Sequence, residues 1–356
     1  MFQMRFREGD FIEDFNGIIF DVKGLVHPPN RVVAFPRFIP NTAGERKRGI
    51  VSYTKVYSLA ARYEFLEKEF PGYLIRDEVF GERICEVPVD CLKHHYIPTD
   101  RLRELRDSNR LDSLERHAVE FASLLKESAN IRWNALGISG SILSRLHKPT
   151  SDIDAIVYGQ DNCRRLYSVL KSLLADEKGK AKPYNEEKQL RQLFDFRSKD
   201  TNMRFDDFVR VESRKVLQGR YRQHDYFIRF VKNWNEINEC YGDVKYSNAG
   251  YAKVKGKVIN ASEAIFTPCA YKIKNVQVLD GNVVKPISEV ASFRGRFCEQ
   301  AEKGETIVAQ GKLEQVRNKE ARKYFRLLLG NTPSDFMTLA QRPSKLARNI
   351  SVHKSR

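Results

Sequence analysis

The chain has 356 residues, a length that points to two or three domains rather than one small core. Hydrophobic residues make up 41% and charged residues 30%, with only 20 Gly and 13 Pro, which excludes a fibrous or disordered polypeptide; no apolar run reaches the roughly 18 residues of a membrane span. Lys and Arg outnumber Asp and Glu by 62 to 46, and the resulting charge of +16 favours a polyanionic partner, nucleic acid first.

In chain order, residues 1–98 read as a mainly β domain. GIIFDVKGLV, RVVAFPRFI and ERICEVPV are β-branched or aromatic runs broken by Gly, Pro and Asn, and YSLAARYEFLEKEF has the apolar spacing of one helix. Residues 99–243 form an α+β core with a small mixed sheet. A helical lead-in over 100–130, capped by Thr99 or Asp100, is followed by the strand ALGIS with its glycine turn, the strand SDIDAIVYG and the helix CRRLYSVLKSLLADE. EEKQLRQLFDF and FDDFVRVESRKVLQ then read as helices, and DYFIRFVKNW as a strand. Residues 244–340 return to strands separated by tight turns, the pattern of a small β-barrel, and 341–356 are a basic flexible tail.

The six cysteines lack the dense spacing of a disulfide scaffold, so reduced thiols are expected. Cys85, Cys91, His94 and His95 raise a zinc question, but there is no Cys-x-x-Cys knuckle and no second half-site. Residues 1–10 carry charges of both signs and no apolar stretch of signal-peptide length, so a cytoplasmic location and no membrane partner are expected.

The chemistry concentrates in GSILSRLHKPTSDIDAI. Asp152 and Asp154 open a strand, where residues i and i+2 share a face, and two carboxylates so close are stable only with a cation between them, such as Mg²⁺. Upstream, Gly140-Ser141 ends the preceding strand in a turn of small residues that lets backbone N–H groups and a hydroxyl approach a phosphate. Lys148 and Arg145, between turn and aspartates, are candidates to neutralise phosphates, while Arg220, Arg222 and His224 are candidate substrate contacts. In the last segment Arg294, Arg296 and Phe297, with Tyr324, Phe325 and Arg326, interleave basic and aromatic residues as a single-stranded RNA platform does.

This window resembles the signature of the DNA polymerase beta-like nucleotidyltransferase superfamily: Gly-Ser, a short polar stretch, then Ser151 directly before Asp-hydrophobic-Asp. The resemblance implies a five-stranded or smaller mixed sheet with helices, two Mg²⁺ ions, and transfer of a nucleoside monophosphate from an NTP such as ATP with release of pyrophosphate. It assigns Gly140, Ser141, Ser151 and Lys148 to the nucleotide and Asp152 and Asp154 to the metals. It also calls for a third carboxylate on a later strand, for which Asp225 is the candidate and Asp195, Asp206, Asp207 and Glu212 lie in the same interval. GLVHPPNRVVAF, residues 24–35, further resembles an amino-terminal segment of an archaeal group of predicted nucleotidyltransferases. The expected function is thus Mg²⁺-dependent transfer to an acceptor hydroxyl on RNA, with tRNA as one candidate, and with a non-catalytic RNA-binding scaffold or a toxin-like transferase acting on tRNA or protein as alternatives.

Overall fold

The computed structural model describes residues 4–340 apart from 177, 200, 202 and 282–285, so the basic segment 341–356 lies outside the described residues. The first third of the chain makes an eight-stranded sheet from β1 (Phe11–Asp14), β2 (Ile19–Val22), β3 (Arg31–Pro40), β4 (Arg46–Arg48), β5 (Val51–Lys55), β6 (Leu74–Asp77), β7 (Glu82–Pro88) and β8 (Leu92–Tyr96). Its main path runs β4-β5-β3-β2-β1-β8, with β7 added to β3 and β6 to β7. Helix α1 (Leu59–Glu69) starts where the Ser58 hydroxyl accepts the Ala61 N–H at 3.1 Å and buries Leu66 in the cluster of Phe20, Val22 and Val87. The expected strands correspond to β2, β3 and β7. FIED, RKR, LIRD and LKHHY were not anticipated as strands because they are short and largely polar, and pairing rather than intrinsic preference holds them.

The expected single lead-in over 100–130 is two helices, α2 (Pro98–Asp107) and α3 (Ser113–Ala129). Pro98 occupies the first helical turn of α2, so Thr99 and Asp100 lie inside the helix and cap nothing; the cap is Asp112, in a reciprocal capping box with Glu115 at the start of α3. The chain continues through β9 (Leu136–Ile138), the single turn α4 (Gly140–Leu143), β10 (Ile153–Tyr158), α5 (Gln160–Ala175), β11 (Ala181–Lys182), α6 (Glu187–Arg197), α7 (Phe205–Glu212), β12 (Gln218–Tyr221) and β13 (His224–Val231). FDDFVRVESRKVLQ is therefore helical only to Glu212, and its last residue opens β12.

These strands form a second, five-stranded mixed sheet in the order β11-β12-β13-β10-β9, antiparallel except for the parallel pair β10–β13. One face packs on α3 and α5: the Phe121 ring lies 4.9 Å from that of Tyr221 and 4.7 Å from that of Tyr226, and Leu166, Leu170 and Leu174 complete the apolar layer. The other face, with Asp154 and Ile156 on β10 and their register partners Phe227 and Arg229 on β13, turns toward the amino-terminal sheet.

The last third is a closed five-stranded barrel of β14 (Val244–Asn260), β15 (Cys269–Asp280), β16 (Ile287–Ser292), β17 (Thr306–Asn318) and β18 (Lys323–Leu329); β14 pairs with both β15 and β17 and closes it, while β19 (Phe336–Leu339) adds to β17. The RNA platform expected here is corrected in two places. Phe297 is a core residue, and Arg326 is buried, with its Nε donating to Glu314 at 2.8 Å and its guanidinium 4.1 Å from the centre of the Tyr246 ring. These two residues are taken up by packing and an internal ion pair, while Arg294, Arg296, Tyr324 and Phe325 stay half-buried. Among the described residues no helix is long and apolar enough to cross a membrane.

Candidate functional site

The site is built around the turn between β9 and α4. Ser139 closes β9 by donating its N–H to the Asp154 carbonyl at 2.8 Å, which ties the turn to β10. Gly140 follows with φ +63°, and a Cβ placed there would sit 1.9 Å from Asp154 Oδ2. A glycine is required twice over, by the left-handed backbone and by the carboxylate pressed against it. The next residue, Ser141, is 2% exposed and its hydroxyl has no hydrogen-bond partner, an uncommon condition for a buried polar group.

Asp152 is exposed just before β10, and Asp154 is partly accessible on it. Neither side chain receives a hydrogen bond or forms an ion pair within 4.0 Å among the described residues. Burial, then the neighbouring charge of Asp152, pushes the Asp154 carboxyl up to about 6, with Arg229, Lys55 and Arg37 acting in the opposite sense. Two carboxylates without partners, beside an unpartnered hydroxyl, fit a hard divalent cation with an oxyanion next to it.

The amino-terminal sheet covers this site. Ser139 Oγ donates to the Gly9 carbonyl at 2.6 Å, and Phe11, Ile19, Phe38 and Tyr53 form one apolar cluster with Leu143 and Leu146 of the turn and its following loop. Buried Arg46 donates to the Leu146 carbonyl at 2.6 Å and holds that loop. Arg229 forms an ion pair with Glu8, which is 0% exposed and also receives Lys23 Nζ at 3.2 Å and the Gly24 N–H at 2.8 Å. Lys23 in turn reaches Asp21 at 2.7 Å. Burial raises the Asp21 carboxyl, but Lys23, Arg229, Arg62 and Arg37 outweigh it and hold it at about 2. Burial, reinforced by Arg37, brings the Lys55 ammonium down to about 8 although Asp152 and Asp154 favour its charge.

A Methanocaldococcus jannaschii protein described as uncharacterised protein MJ1086 is 33% identical to the chain over 341 residues, 94% of this chain and 98% of its own. The chain belongs to the family of that protein. No protein-family model and no solved structure matches it.

In this member of the MJ1086 family the residues expected at the site separate into two groups. Gly140, Ser141, Asp152 and Asp154 converge. Ser151 and Lys148 shape the intervening loop, the Ser151 hydroxyl accepting the Lys148 N–H at 2.9 Å while Lys148 Nζ lies 4.0 Å from Glu45. Arg145 pairs with Glu104 at 2.9 Å and Arg222 with Glu120 at 2.6 Å, both away from the carboxylates, and His224 Nε2 meets His117 Nδ1 at 3.1 Å.

Asp225 precedes the ladder that begins at Ile153–Tyr226, and strand alternation puts it on the face of Phe227 and Arg229. Its side chain is 60% exposed and lies 3.6 Å from Arg220, so the three carboxylates do not share a point of coordination. The alternatives lie elsewhere: Asp195 is exposed on α6, Asp206 and Asp207 are in the first turn of α7, and buried Glu212 is engaged by Arg197 at 2.6 Å and Lys215 at 2.7 Å.

Among the described residues the one His and carboxylate group with ligand atoms within 4.8 Å of each other is Asp112, Glu115 and His147, and the helix cap together with the Arg101–Glu115 ion pair at 2.5 Å already accounts for it. Cys85, Cys91, His94 and His95 form no such group: Cys85 is buried in β7, and His95 bonds Asp10 at 2.9 Å.

Sequence reasoning did not find Glu8, Arg37, Arg46, Lys55 or Arg229. The available signal was a charged residue inside an otherwise apolar strand, as in AFPRFI and FIRFV. Gly140→Ala tests the turn: steric overlap with Asp154 and a positive φ are expected to cost about 1–3 kcal/mol in urea unfolding, and an unchanged midpoint would contradict the contact.

Proposed function

We propose that the chain is a Mg²⁺-dependent nucleotidyltransferase of the DNA polymerase beta-like kind, moving a nucleoside monophosphate from an NTP to an acceptor hydroxyl, with RNA as the acceptor class. The observation that carries this reading is the contact of Gly140 with Asp154 beside the buried, unpartnered hydroxyl of Ser141. The five-stranded mixed sheet, with the turn at the end of β9 and the carboxylates at the start of the adjacent β10, supports it.

In this mechanism the absence of a side chain at Gly140 lets the Asp154 carboxylate lie against the turn, and the Ser141 hydroxyl donates to a non-bridging phosphate oxygen. Asp152 and Asp154 would hold Mg²⁺, which when bound supplies charge neutralisation for the triphosphate. The acceptor hydroxyl gives up its proton to a carboxylate of the site as its oxygen bonds the α-phosphorus, the bond to the β-phosphate breaks, and pyrophosphate leaves. Asp225, at the opening of β13, is the third carboxylate in this proposal once it leaves Arg220.

The test is transfer of label from each α-labelled NTP onto total cellular RNA and protein. Wild type is expected to label RNA, Asp152→Asn and Asp154→Asn to reduce transfer by about a thousandfold or more, and Asp225→Asn by about a hundredfold. The placement of Asp225 beside Arg220 favours one second reading, an RNA-binding scaffold. Salt-sensitive RNA binding without any label transfer would support that reading instead.

A further inference from the structure

Three cations, Arg37 on β3, Lys55 on β5 and Arg62 on α1, gather on the amino-terminal side of the carboxylate pair, and buried Asp21 lies within electrostatic range of both arginines. Arg37 and Arg62 both donate to the carbonyl of Val56, each at 3.3 Å, so two guanidinium groups converge on one oxygen. No carboxylate lies within 4.0 Å of Arg37, Lys55 or Arg62 among the described residues, and Arg62 is 8% exposed with a buried Nε that has no partner. Asp21 offsets part of this charge, and one buried carboxylate among three cations leaves them in excess, which a further anion would relieve.

Beside them is an exposed aromatic pair. Tyr57 is 49% exposed and Phe196, on α6, is 53% exposed; their rings meet edge to face at 6.1 Å, bridging the amino-terminal sheet and the core. Arg37 lies 5.3 Å and Lys55 5.0 Å from the centre of the Tyr57 ring. Lys55 is also within electrostatic range of Asp152 and Asp154, and Arg37 of Asp154, so the two cations beside the aromatic pair are also those that act on the carboxylates. Exposed rings next to unpaired cations match the chemistry of a nucleotide unit in a single strand, with a base to stack and a phosphate to neutralise.

We propose that Tyr57, Phe196, Arg37, Lys55 and Arg62 form an acceptor-strand site that takes the terminal nucleotides of a single-stranded nucleic acid and leads its end to Asp152 and Asp154. The site rests on the transferase reading, in which the donor triphosphate occupies the opposite side at Gly140 and Ser141. The chain's charge of +16 suits such a partner.

The test is fluorescence anisotropy of 5′-labelled ribo- and deoxyribo-oligonucleotides without Mg²⁺, using the full chain. Tyr57→Ala with Phe196→Ala, both at exposed positions, is expected to weaken binding about tenfold to a hundredfold, and Tyr57→Phe to restore it. Arg37→Gln with Lys55→Gln is expected to weaken binding and flatten its salt dependence. A stronger effect on the ribo-oligonucleotide assigns the strand to RNA, and equal effects assign the site to either single strand. Asp152→Asn/Asp154→Asn is expected to bind as wild type does, so loss of transfer with retained binding separates this site from the catalytic reading. Oligonucleotide affinity unchanged by both the aromatic and the cationic variants would overturn the proposal, as would variants that lose ATP affinity while keeping the oligonucleotide.

Discussion

Asp154→Asn is expected to abolish nucleotidyl transfer and at the same time to make the metal-free protein more stable at pH 7.5. Wild-type Asp154 is pressed against Gly140, beside Asp152 and without a hydrogen bond, and its carboxyl is raised to about 6. A carboxyl raised on folding favours the protonated folded state, so this group stabilises the fold least above its folded pKa. The penalty is absent below the ordinary carboxyl value of about 4, grows as pH rises toward 6, and is constant above that. The amide, which carries no charge, avoids it. A gain of about 1–3 kcal/mol follows at pH 7.5, shrinking toward zero near pH 4. Millimolar Mg²⁺ is expected to raise the melting temperature of the wild type and not of Asp154→Asn. Thermal unfolding from pH 4 to 8, with and without Mg²⁺, checks both; a variant less stable than wild type throughout would show that Asp154 supports the fold instead of straining it.

Glu8→Ala is expected to be the most damaging single change away from the carboxylates. The side chain is fully buried and joins Arg229 of β13 to Lys23 and the Gly24 N–H, so its loss removes the direct ion-pair partner of Arg229 and leaves it only the electrostatic influence of Asp21 and Asp154. Removing one partner of a buried ion pair costs about 3–5 kcal/mol. Urea unfolding measures this directly, and proteolysis between the amino-terminal sheet and the core is expected to accelerate. A loss under about 1 kcal/mol would mean that water solvates Arg229 as well as Glu8 does.

The local part of the site was legible in the sequence because spacing along one chain encodes it. Gly140-Ser141 follows β9 and Asp152-Ile153-Asp154 opens the adjacent strand β10, so a short separation along the chain carries the contact of Gly140 with Asp154. The barrel strands were legible for the same reason. Helix α3 was misplaced at its start because Thr99 and Asp100 have capping chemistry too, and only the break at 108–112 made Asp112 the cap.

Long-range packing was not legible. Arg37, Lys55 and Arg62 read as ordinary charges on strands and a helix, and become a cluster only when β3 pairs with β5 and α1 packs beside them at Val56. Alternation also put Asp225 on the correct face without showing that Arg220 would stand 3.6 Å from it. Arg326 and Phe297 had the composition of a binding surface, but Phe297 packs into the core and Arg326, on the face of β18 opposite Leu327 and Leu329, is buried against Glu314 and Tyr246.

The most direct measurement is Mn²⁺ binding followed by electron paramagnetic resonance, with and without a non-hydrolysable NTP analogue. Wild type should bind Mn²⁺ weakly alone and about tenfold or more tightly with the analogue, and Asp152→Asn/Asp154→Asn should lose both effects. Mn²⁺ and analogue binding that survives in the double variant would contradict the assignment of Asp152, Asp154 and the Gly140-Ser141 turn as a metal-nucleotide site.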